Sequence, residues 1–410
     1  MKILHTSDWH LGRALFTRRR YEEFAAFLDW LLRLIQDEAI EVLVVAGDVF
    51  DTTTPGTRAQ QLYYRFLRGL AASPCRHAVI VAGNHDSPSF LDAPKELLRA
   101  FNVHVVGSAC SNPADEVLLL HGSNSTPELI VCAVPFLRDR DVRSAQPGET
   151  IQDKEQNLLD GIRNHYKQVT DAAENLRAQA DRNLPIVATG HLFAVGGKTV
   201  QGDGVRELYV GSLAHVGPAI FPPALDYVAL GHLHVPQIVG GSDRIRYSGA
   251  PIPMSFGEAH QQKSVVLVSF EPESTTPHVA QIPIPTFQRL ERIAGDWDQI
   301  ENRIKELAAE GSIAWLEVVY DANDLIGDLN DRLNTLVADT KLEILNTRNL
   351  RRTQQALEQG DTTETLDDLD STEVFLRCLD AHQVPEAQRS ELMLLYQQAV
   401  HDLWQQEAID

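Results

Sequence analysis

Five short segments of this chain share one pattern: an apolar run ends and is followed at once by Asp, Asn or His. Each run has the length and the apolar composition of a buried β-strand. The carboxyl ends of parallel strands in one sheet meet at one edge, so we expect these polar side chains to converge there. The five polar segments are Asp8-Trp9-His10, residues 47–51 (Gly-Asp-Val-Phe-Asp), residues 83–86 (Gly-Asn-His-Asp), Gly190-His191 and residues 231–234 (Gly-His-Leu-His).

The donor atoms in these segments favour a catalytic metal site. They are carboxylate oxygens, one amide oxygen and imidazole nitrogens, without a thiolate, which suits Mn²⁺, Fe or Zn²⁺ in an open site. Asp48 ends a central strand and is predicted to bridge two ions, because a two-metal site needs a ligand that both ions share. We expect Asp8, His10 and His234 to complete the shell of one ion, and Asn84, His191 and His232 that of the other. The sequence therefore predicts a two-metal phosphoesterase.

His85 stands beside the predicted ligand Asn84 and is followed by Asp86. It is not needed as a ligand, and we predict that it donates a proton to the leaving oxygen. The role of Asp51 stays open. Its position is as compatible with capping a turn or supporting a ligand as with direct catalysis. A single Asp-x-His or Gly-His pair is common by chance. A purely structural role for these residues hardly explains the presence of all five segments in this order.

The 410-residue chain has a formal net charge of −21, which by itself argues against a nucleic-acid partner. The acidity is uneven, however, since residues 290–410 hold 26 Asp or Glu against 10 Lys or Arg. Two basic clusters lie near the motifs, and each is either a solvated surface or a contact for DNA phosphates. Arg18, Arg19 and Arg20 form the first cluster, and Arg138, Arg140 and Arg143 the second.

Strand and helix patterns alternate along the chain, which predicts an α/β fold. We expect three domains: a catalytic domain over residues 1–284, a small α/β domain over 285–350 and a helical tail over 351–410. Apolar residues recur at helical spacing around 371–381 and 386–406, which predicts two amphipathic helices in the tail. We also predict one helix over residues 89–101, a domain boundary at the prolines near 277–285, and antiparallel strands after residue 234.

Several classes of protein are disfavoured by composition. No run approaches the ~18 apolar residues of a membrane helix, and the four cysteines form no Cys-x-x-Cys pair. These features predict reduced thiols and a cytoplasmic location. Residues 196–199 imitate the end of a phosphate-binding P-loop, but Leu192 stands where that motif requires Gly. We therefore expect a mobile glycine-rich loop over residues 196–204 and no ATP site.

The motifs, in this order, resemble those of the calcineurin-like metallophosphoesterase superfamily. Residues 5–12, 47–51, 83–87 and 247–253 (Tyr-Ser-Gly-Ala-Pro-Ile-Pro) are most similar to its bacterial nuclease subunits that process DNA ends. The resemblance spans essentially the whole chain. It implies a β-sandwich flanked by helices, with the small α/β domain as a cap and the tail as a C-terminal helical pair.

The resemblance also implies an activity and its partners. It implies manganese at the seven ligands, which magnesium can replace, and His85 as the catalytic histidine. It implies a homodimeric nuclease that degrades double-stranded DNA from 3′ ends, opens hairpins and joins two ATPase subunits in a heterotetramer at the nucleoid. The cap would contact DNA and the tail would dock the ATPase. Many archaeal and eukaryotic relatives have His in place of Asp51, so the role of that histidine is not transferred to Asp51.

Two other classes of function fit part of the pattern. Phosphoprotein phosphatases typically continue the second motif with Arg-Gly, whereas this chain has Thr52-Thr53, and purple acid phosphatases place a metal-binding tyrosine in that region. A small-molecule phosphodiesterase is the main alternative, although it would hardly need an acidic helical tail. A non-catalytic scaffold is disfavoured, because every predicted ligand is present.

Overall fold

The computed structural model describes residues 1–143, 149–180, 182–194, 217–322 and 328–349, with seven single residues between 375 and 396. Within those ranges the chain forms two six-stranded sheets, a three-stranded sheet and a two-stranded hairpin. The strands are β1 (Lys2–Thr6), β2 (Ala14–Leu15), β3 (Arg18–Arg19), β4 (Val42–Ala46), β5 (His77–Val81), β6 (Val103–Val106), β7 (Val117–His121), β8 (Pro127–Cys132), β9 (Ile186–His191), β10 (Tyr227–Gly231), β11 (Gln237–Val239), β12 (Ser242–Tyr247), β13 (Ser264–Ser269), β14 (His278–Pro283), β15 (Leu290–Gly295), β16 (Trp315–Tyr320) and β17 (Glu343–Asn349). The α-helices are α1 (Tyr21–Asp37), α2 (Thr57–Leu70), α3 (Pro88–Asp92), α4 (Lys95–Arg99), α5 (Asp139–Val142), α6 (Ile151–Gln179), α7 (Trp297–Ala309) and α8 (Leu329–Val337).

The first sheet has the strand order β14-β13-β1-β4-β5-β6. Strands β1, β4, β5 and β6 run parallel, while β13 pairs antiparallel with β1 and β14. Every residue of β4 is buried, as expected for a parallel strand covered on both faces. Successive side chains point to opposite faces, so Leu43 and Val45 pack beneath helices α1 and α2, while Val42 and Val44 face the second sheet.

The second sheet has the order β11-β12-β10-β9-β8-β7, with β8, β9, β10 and β12 parallel. Its outer face packs against α6 through Ile162, Tyr166 and Val169. Its inner face, which includes Val187 and Tyr227, packs against the first sheet. The two sheets therefore form a sandwich with helices on both outer faces.

The third sheet, β15-β16-β17, is parallel and has its own apolar core with α7 and α8. It contacts the sandwich next to the β2–β3 hairpin. Leu15, Phe256 and Trp315 share a buried cluster there, and Arg18 forms a 2.9 Å ion pair with Glu343. The hairpin thus joins the third sheet to the segment that follows β1.

Several sequence-based expectations about local structure are wrong. The helix expected over residues 89–101 is two short helices, α3 and α4, because Pro94 lies between them and has no N–H to continue the helical bonds. The boundary expected at the prolines near 277–285 stays a prediction: these prolines lie in or beside the edge strand β14, where proline is tolerated, and the third sheet begins beyond them at Leu290. The segment after residue 234 is only partly antiparallel, since β12 runs parallel to β10. The hairpin β2–β3 was not anticipated.

Most of the tail and the whole glycine-rich loop over residues 196–204 lie outside the described residues. The seven single residues of the tail are all helical. Phe375 stacks on Tyr396 with ring centroids 4.1 Å apart, so one residue from each of the two predicted tail helices is in contact. None of the helices that the structure describes is long and apolar enough to cross a membrane.

A buried histidine of β1 connects the two sheets of the sandwich. His5 Nε2–H donates to the Leu230 carbonyl at 3.2 Å, so its Nδ1 accepts from the Tyr227 hydroxyl at 2.9 Å. His5 is fully buried, and burial lowers the pKa of its imidazole to about 3 against the bond to Leu230. This side chain is therefore neutral in the folded protein.

This neutral histidine should make the fold acid-sensitive. The pKa of His5 is lower in the folded chain than in the unfolded chain, so its stabilising effect is complete above pH ~6.5 and is lost as the pH falls towards 3. Between pH 6.5 and 5.5 we expect the free energy of unfolding to decrease by about 1 kcal/mol more in the wild type than in His5→Gln. Urea unfolding at the two pH values measures this difference. Equal decreases in both proteins would contradict the assignment of His5 as neutral.

Candidate metal centre

The five polar segments meet at one end of the sandwich, but two sheets supply them. Three segments follow β1, β4 and β5 of the first sheet, and two lie at the ends of β9 and β10 of the second. The expectation of convergence at the edge of one sheet is therefore corrected. The sheets approach closely here, since a Cβ on Gly231 would lie 1.9 Å from the Ala46 carbonyl oxygen. Glycine is required at this position because any side chain would push the sheets apart.

Four residues of these segments have left-handed backbone conformations. The φ angles are 53° at Asp8, 46° at His10, 51° at Asp48 and 102° at His232. Residues other than glycine rarely adopt such values, and the strain persists only where surrounding bonds fix it. The Asp8 N–H donates to the Gly47 carbonyl and the His10 N–H to the Asp48 carbonyl, each at 3.0 Å. These bonds tie the ends of β1 and β4 together.

The carboxylate of Asp48 lies between imidazoles from both sheets. Its Oδ2 is 3.5 Å from His10 Nε2 and 3.3 Å from His191 Nε2, and its Oδ1 accepts from the backbone N–H of His85 at 2.9 Å. Burial would raise the pKa of Asp48, but His191 and His10 outweigh burial and lower it. For His191 the effects have the opposite sign: burial lowers the pKa of its imidazole, but Asp48 outweighs burial and raises it to about 9. A buried carboxylate that stabilises positive charge on a neighbouring imidazole would also stabilise a metal cation.

One group of donors surrounds His10. The ligand atoms of Asp8, His10 and His234 all lie within 4.8 Å of one another. His10 Nε2 and His234 Nε2 are 3.2 Å apart, and both rings are buried. Two imidazole nitrogens and a carboxylate this close together fit a divalent cation between them.

A second group surrounds His191. The ligand atoms of Asp8, Asp48 and His191 also lie within 4.8 Å of one another, and His191 Nε2 is 3.0 Å from Asn84 Oδ1. The His232 ring centroid is 5.3 Å from that of His191. Its buried Nε2 has no hydrogen-bond partner among the described residues. All seven predicted ligands thus gather in two adjoining groups around Asp48.

His85 lies at the edge of the first group. Its ring meets the His10 ring edge-on with centroids 4.8 Å apart. Its Nδ1–H donates to the Asp51 carbonyl oxygen at 2.8 Å, which leaves Nε2 as the nitrogen available to a substrate. The side chain of His85 is buried, with 6% of the residue exposed.

Two further carboxylates lie in this region, and the ligand atoms of Asp51, His10 and His85 also lie within 4.8 Å of one another. Asp51 Oδ1 is 3.4 Å from His10 Nδ1 and 3.5 Å from an Arg13 guanidinium nitrogen. The buried Asp86 carboxylate accepts from the backbone N–H groups of residues 49, 50 and 83 at 2.9 to 3.1 Å. Burial, reinforced by Asp48, raises the pKa of Asp86 to about 7. Asp86 thus fixes the segments after β4 and β5 to each other.

A buried ion pair behind His234 was missed by the sequence analysis. The side chains of Glu258 and Lys263 are paired and buried, and Lys263 Nζ also donates to the His234 carbonyl at 3.0 Å. Glu258 Oε1 lies 3.8 Å from His234 Nδ1. No strand-end pattern marks these residues, because they precede β13 and belong to none of the five segments.

The first arginine cluster is only partly suited to DNA. Arg20 is 1% exposed and bonds Glu23 through two nitrogens at 2.8 and 2.9 Å, so it cannot contact a phosphate and is removed from the predicted interface. Arg18 is paired with Glu343 and lies over the Trp315 ring. Arg19 is exposed.

The second cluster follows Phe136, whose ring contacts that of His191 with centroids 6.5 Å apart. Arg140 is exposed and Arg138 is half-buried, both at or near the start of α5. Arg143 is paired with Asp139 and Glu149. Arg138 and Arg140 are therefore the members of this cluster that remain candidates for contact with DNA near the site.

Comparisons with known proteins match the chain over most of its length. Residues 1–236 match the family described as Calcineurin-like phosphoesterase, and residues 286–383 match the one described as Type 5 capsule protein repressor C-terminal domain. A protein of Escherichia coli (strain K12), named as the D subunit of the nuclease SbcCD, is 36% identical over 98% of this chain and 98% of its own length.

Two proteins of the same name match over shorter lengths. That of Rhodobacter capsulatus is 36% identical over 70% of this chain and 69% of its own, and that of Bacillus subtilis is 35% identical over 66% and 67%. Among solved structures, a β-glucosidase from Exiguobacterium marinum aligns over 85% of this chain and 88% of its own at 12% identity, with a TM-score of 0.22. That score does not indicate a shared fold.

Proposed function

The chain belongs to the calcineurin-like phosphoesterase family and, within it, to the SbcD nuclease subunits, and on this premise we propose that it cleaves DNA with two metal ions. The observation that carries the proposal is the position of Asp48 Oδ2, 3.5 Å from His10 of one sheet and 3.3 Å from His191 of the other. Two-metal hydrolases of phosphodiesters need a carboxylate so placed.

We assign seven residues to the two ions. Asp48 would bridge them, Asp8, His10 and His234 would complete the ligands of the first ion, and Asn84, His191 and His232 those of the second. Oxygen and imidazole donors without sulfur suit manganese, which magnesium could replace. When bound, the two ions would supply an activated water nucleophile and neutralise charge on the phosphoryl oxygens.

His85 is proposed as the general acid. Its bond to the Asp51 carbonyl occupies Nδ1, so Nε2 would be the nitrogen that protonates the leaving 3′ or 5′ oxygen of DNA. Asp86 would act indirectly, because it holds the segments that carry Asp48 and His85 in register.

The substrate is proposed from the relatives. Since the name of the E. coli relative places it in the SbcCD nuclease, we propose that this chain pairs with the ATPase SbcC as a heterotetramer of two nuclease and two ATPase subunits. The complex would degrade double-stranded DNA from 3′ ends and open hairpins under the control of ATP, at the nucleoid in the cytoplasm. The nuclease subunit would itself dimerise.

The proposed DNA surface is narrower than the sequence predicts. Arg19, Arg138 and Arg140 keep exposed or half-exposed positions, and Arg138 and Arg140 follow a segment that touches His191. Reversing all three charges should flatten the dependence of DNA affinity on salt, because fewer counterions are released on binding. An unchanged salt dependence would make these residues an ordinary solvated surface.

The domain organisation is proposed as residues 1–284 for catalysis, 285–350 for a cap that contacts DNA and 351–410 for docking SbcC. Residues 355–410 hold 13 acidic and 2 basic residues, so they would repel DNA. Two amphipathic helices have too little area to bury their own apolar faces, which a partner helix can cover.

Truncation after Arg352 should separate the two activities. We expect the shortened chain to remain a folded, Mn²⁺-dependent nuclease on hairpin DNA and to lose both SbcC binding and ATP-dependent cleavage of duplex DNA. Size-exclusion chromatography with SbcC measures the association. Co-elution at the wild-type ratio would refute the docking role of the tail.

Replacing His85 by Ala should slow cleavage of hairpin DNA by roughly 10²–10⁴-fold, the usual contribution of a general acid. Metal content and DNA affinity should remain close to those of the wild type. The effect should be much smaller on bis(p-nitrophenyl) phosphate, because nitrophenolate leaves without a proton. His104→Ala is the matched control, since His104 lies on β6 and belongs to none of the donor groups.

Three outcomes would contradict this account. Loss of a metal ion in His85→Ala would make His85 a ligand, and equal slowing on both substrates would remove its role as proton donor. A wild-type chain that cleaves the small phosphodiester but no DNA, with or without SbcC, would favour a small-molecule phosphodiesterase.

A further inference from the structure

The two donor groups differ in what lies behind their histidines. In the first group the far nitrogen of each imidazole faces a carboxylate: His10 Nδ1 is 3.4 Å from Asp51 Oδ1, and His234 Nδ1 is 3.8 Å from Glu258 Oε1. Both nitrogens and the Glu258 oxygen are buried and make no closer hydrogen bond among the described residues. Each carboxylate therefore has one oxygen directed at a predicted ligand.

Glu258 is held in place for this contact. It is 0% exposed, and its Oε2 accepts from Lys263 and from the Met254 N–H at 3.2 Å. Burying a carboxylate is costly unless it is paired, and Lys263 provides the pairing. Because Oε2 is occupied, Oε1 is left for His234.

In the second group the far nitrogen of His191 faces an uncharged backbone carbonyl and not a carboxylate. His191 Nδ1–H donates to the Ala46 carbonyl at 3.0 Å. No carboxylate oxygen of the described residues is paired with either nitrogen of His232. The proposed ligands differ in the same direction, since Asp8 is assigned to the first ion and the neutral amide of Asn84 to the second. The Asp8 carboxylate nevertheless lies within 4.8 Å of the ligand atoms of both groups.

A carboxylate behind a ligating imidazole fixes its tautomer and makes the ligating nitrogen more basic. Removing such a partner typically costs 10–100-fold in metal affinity. We infer that the two ions are held unequally: one resides tightly at Asp8, His10, Asp48 and His234, and the other exchanges readily at Asn84, His191 and His232. Asp51 and Glu258 are positioning residues for the tight ion. This inference rests on the metal centre proposed above.

Binding of Mn²⁺ to the full-length metal-free protein tests the inference. Electron paramagnetic resonance follows both free Mn²⁺ and the spin coupling between neighbouring ions. In the wild type we expect two steps separated at least ~10-fold in affinity, with isolated ions at one equivalent and coupled pairs at two. Asp51→Asn and Glu258→Gln should each weaken the first step by ~10–100-fold and leave the second step nearly unchanged.

Glu116→Gln is the matched control, because Glu116 is a buried carboxylate paired with His165 at 2.8 Å and neither belongs to a donor group. It should leave both steps unchanged. If Glu258→Gln unfolds because Lys263 loses its partner, the double variant Glu258→Gln/Lys263→Met removes both charges, and Asp51→Asn tests the first site independently.

Two results would overturn the inference while the metal centre stands. The first is the appearance of spin-coupled Mn²⁺ pairs in the wild type at well below one equivalent of Mn²⁺ per chain, which would indicate equal or cooperative sites. The other is an effect of Asp51→Asn on the second step alone. A wild-type chain that binds no Mn²⁺ would instead refute the metal centre, and the inference with it.

Discussion

The site depends on one buried carboxylate at the point where two sheets meet. Asp48 ends β4, and its oxygens lie among His10 from the first sheet, His191 from the second and the backbone N–H of His85. Without compensating positive charge or donors, a buried carboxylate is unstable. The surrounding imidazoles supply such compensation in the protein alone, and two cations would supply it in the enzyme that we propose.

The rest of the sandwich keeps this carboxylate in place. The parallel strands β1, β4 and β5 are buried on both faces, and Asp86 fixes the segments that follow β4 and β5 to each other. Gly231 allows the second sheet to approach the first. The left-handed conformations of Asp8, His10 and Asp48 show that backbone strain is concentrated where the ligands must point inward.

Much of this arrangement could be predicted from local sequence. Apolar runs marked the strands, their polar ends marked all seven gathered donors, and the predicted calcineurin-like fold, an α/β sandwich flanked by helices, is confirmed. What failed depends on tertiary contacts. Arg20 belongs to a run of three arginines that predicts a basic surface, but its side chain is buried against Glu23. Glu258 lies in none of the sequence motifs, because only the fold brings it next to His234. Apolar runs predict which segments are buried strands, but they do not predict which of the two sheets each strand joins.

Asp48 is proposed to bridge two metal ions, and anomalous diffraction tests this bridging most directly. Crystals grown with Mn²⁺ and measured at the manganese absorption edge should give two peaks per chain, about 3.5–4 Å apart, with one oxygen of Asp48 in contact with both. Crystals of Asp48→Asn under the same conditions should lose both peaks while the fold is preserved. A single peak in the wild type, or two undiminished peaks in Asp48→Asn, would contradict the account.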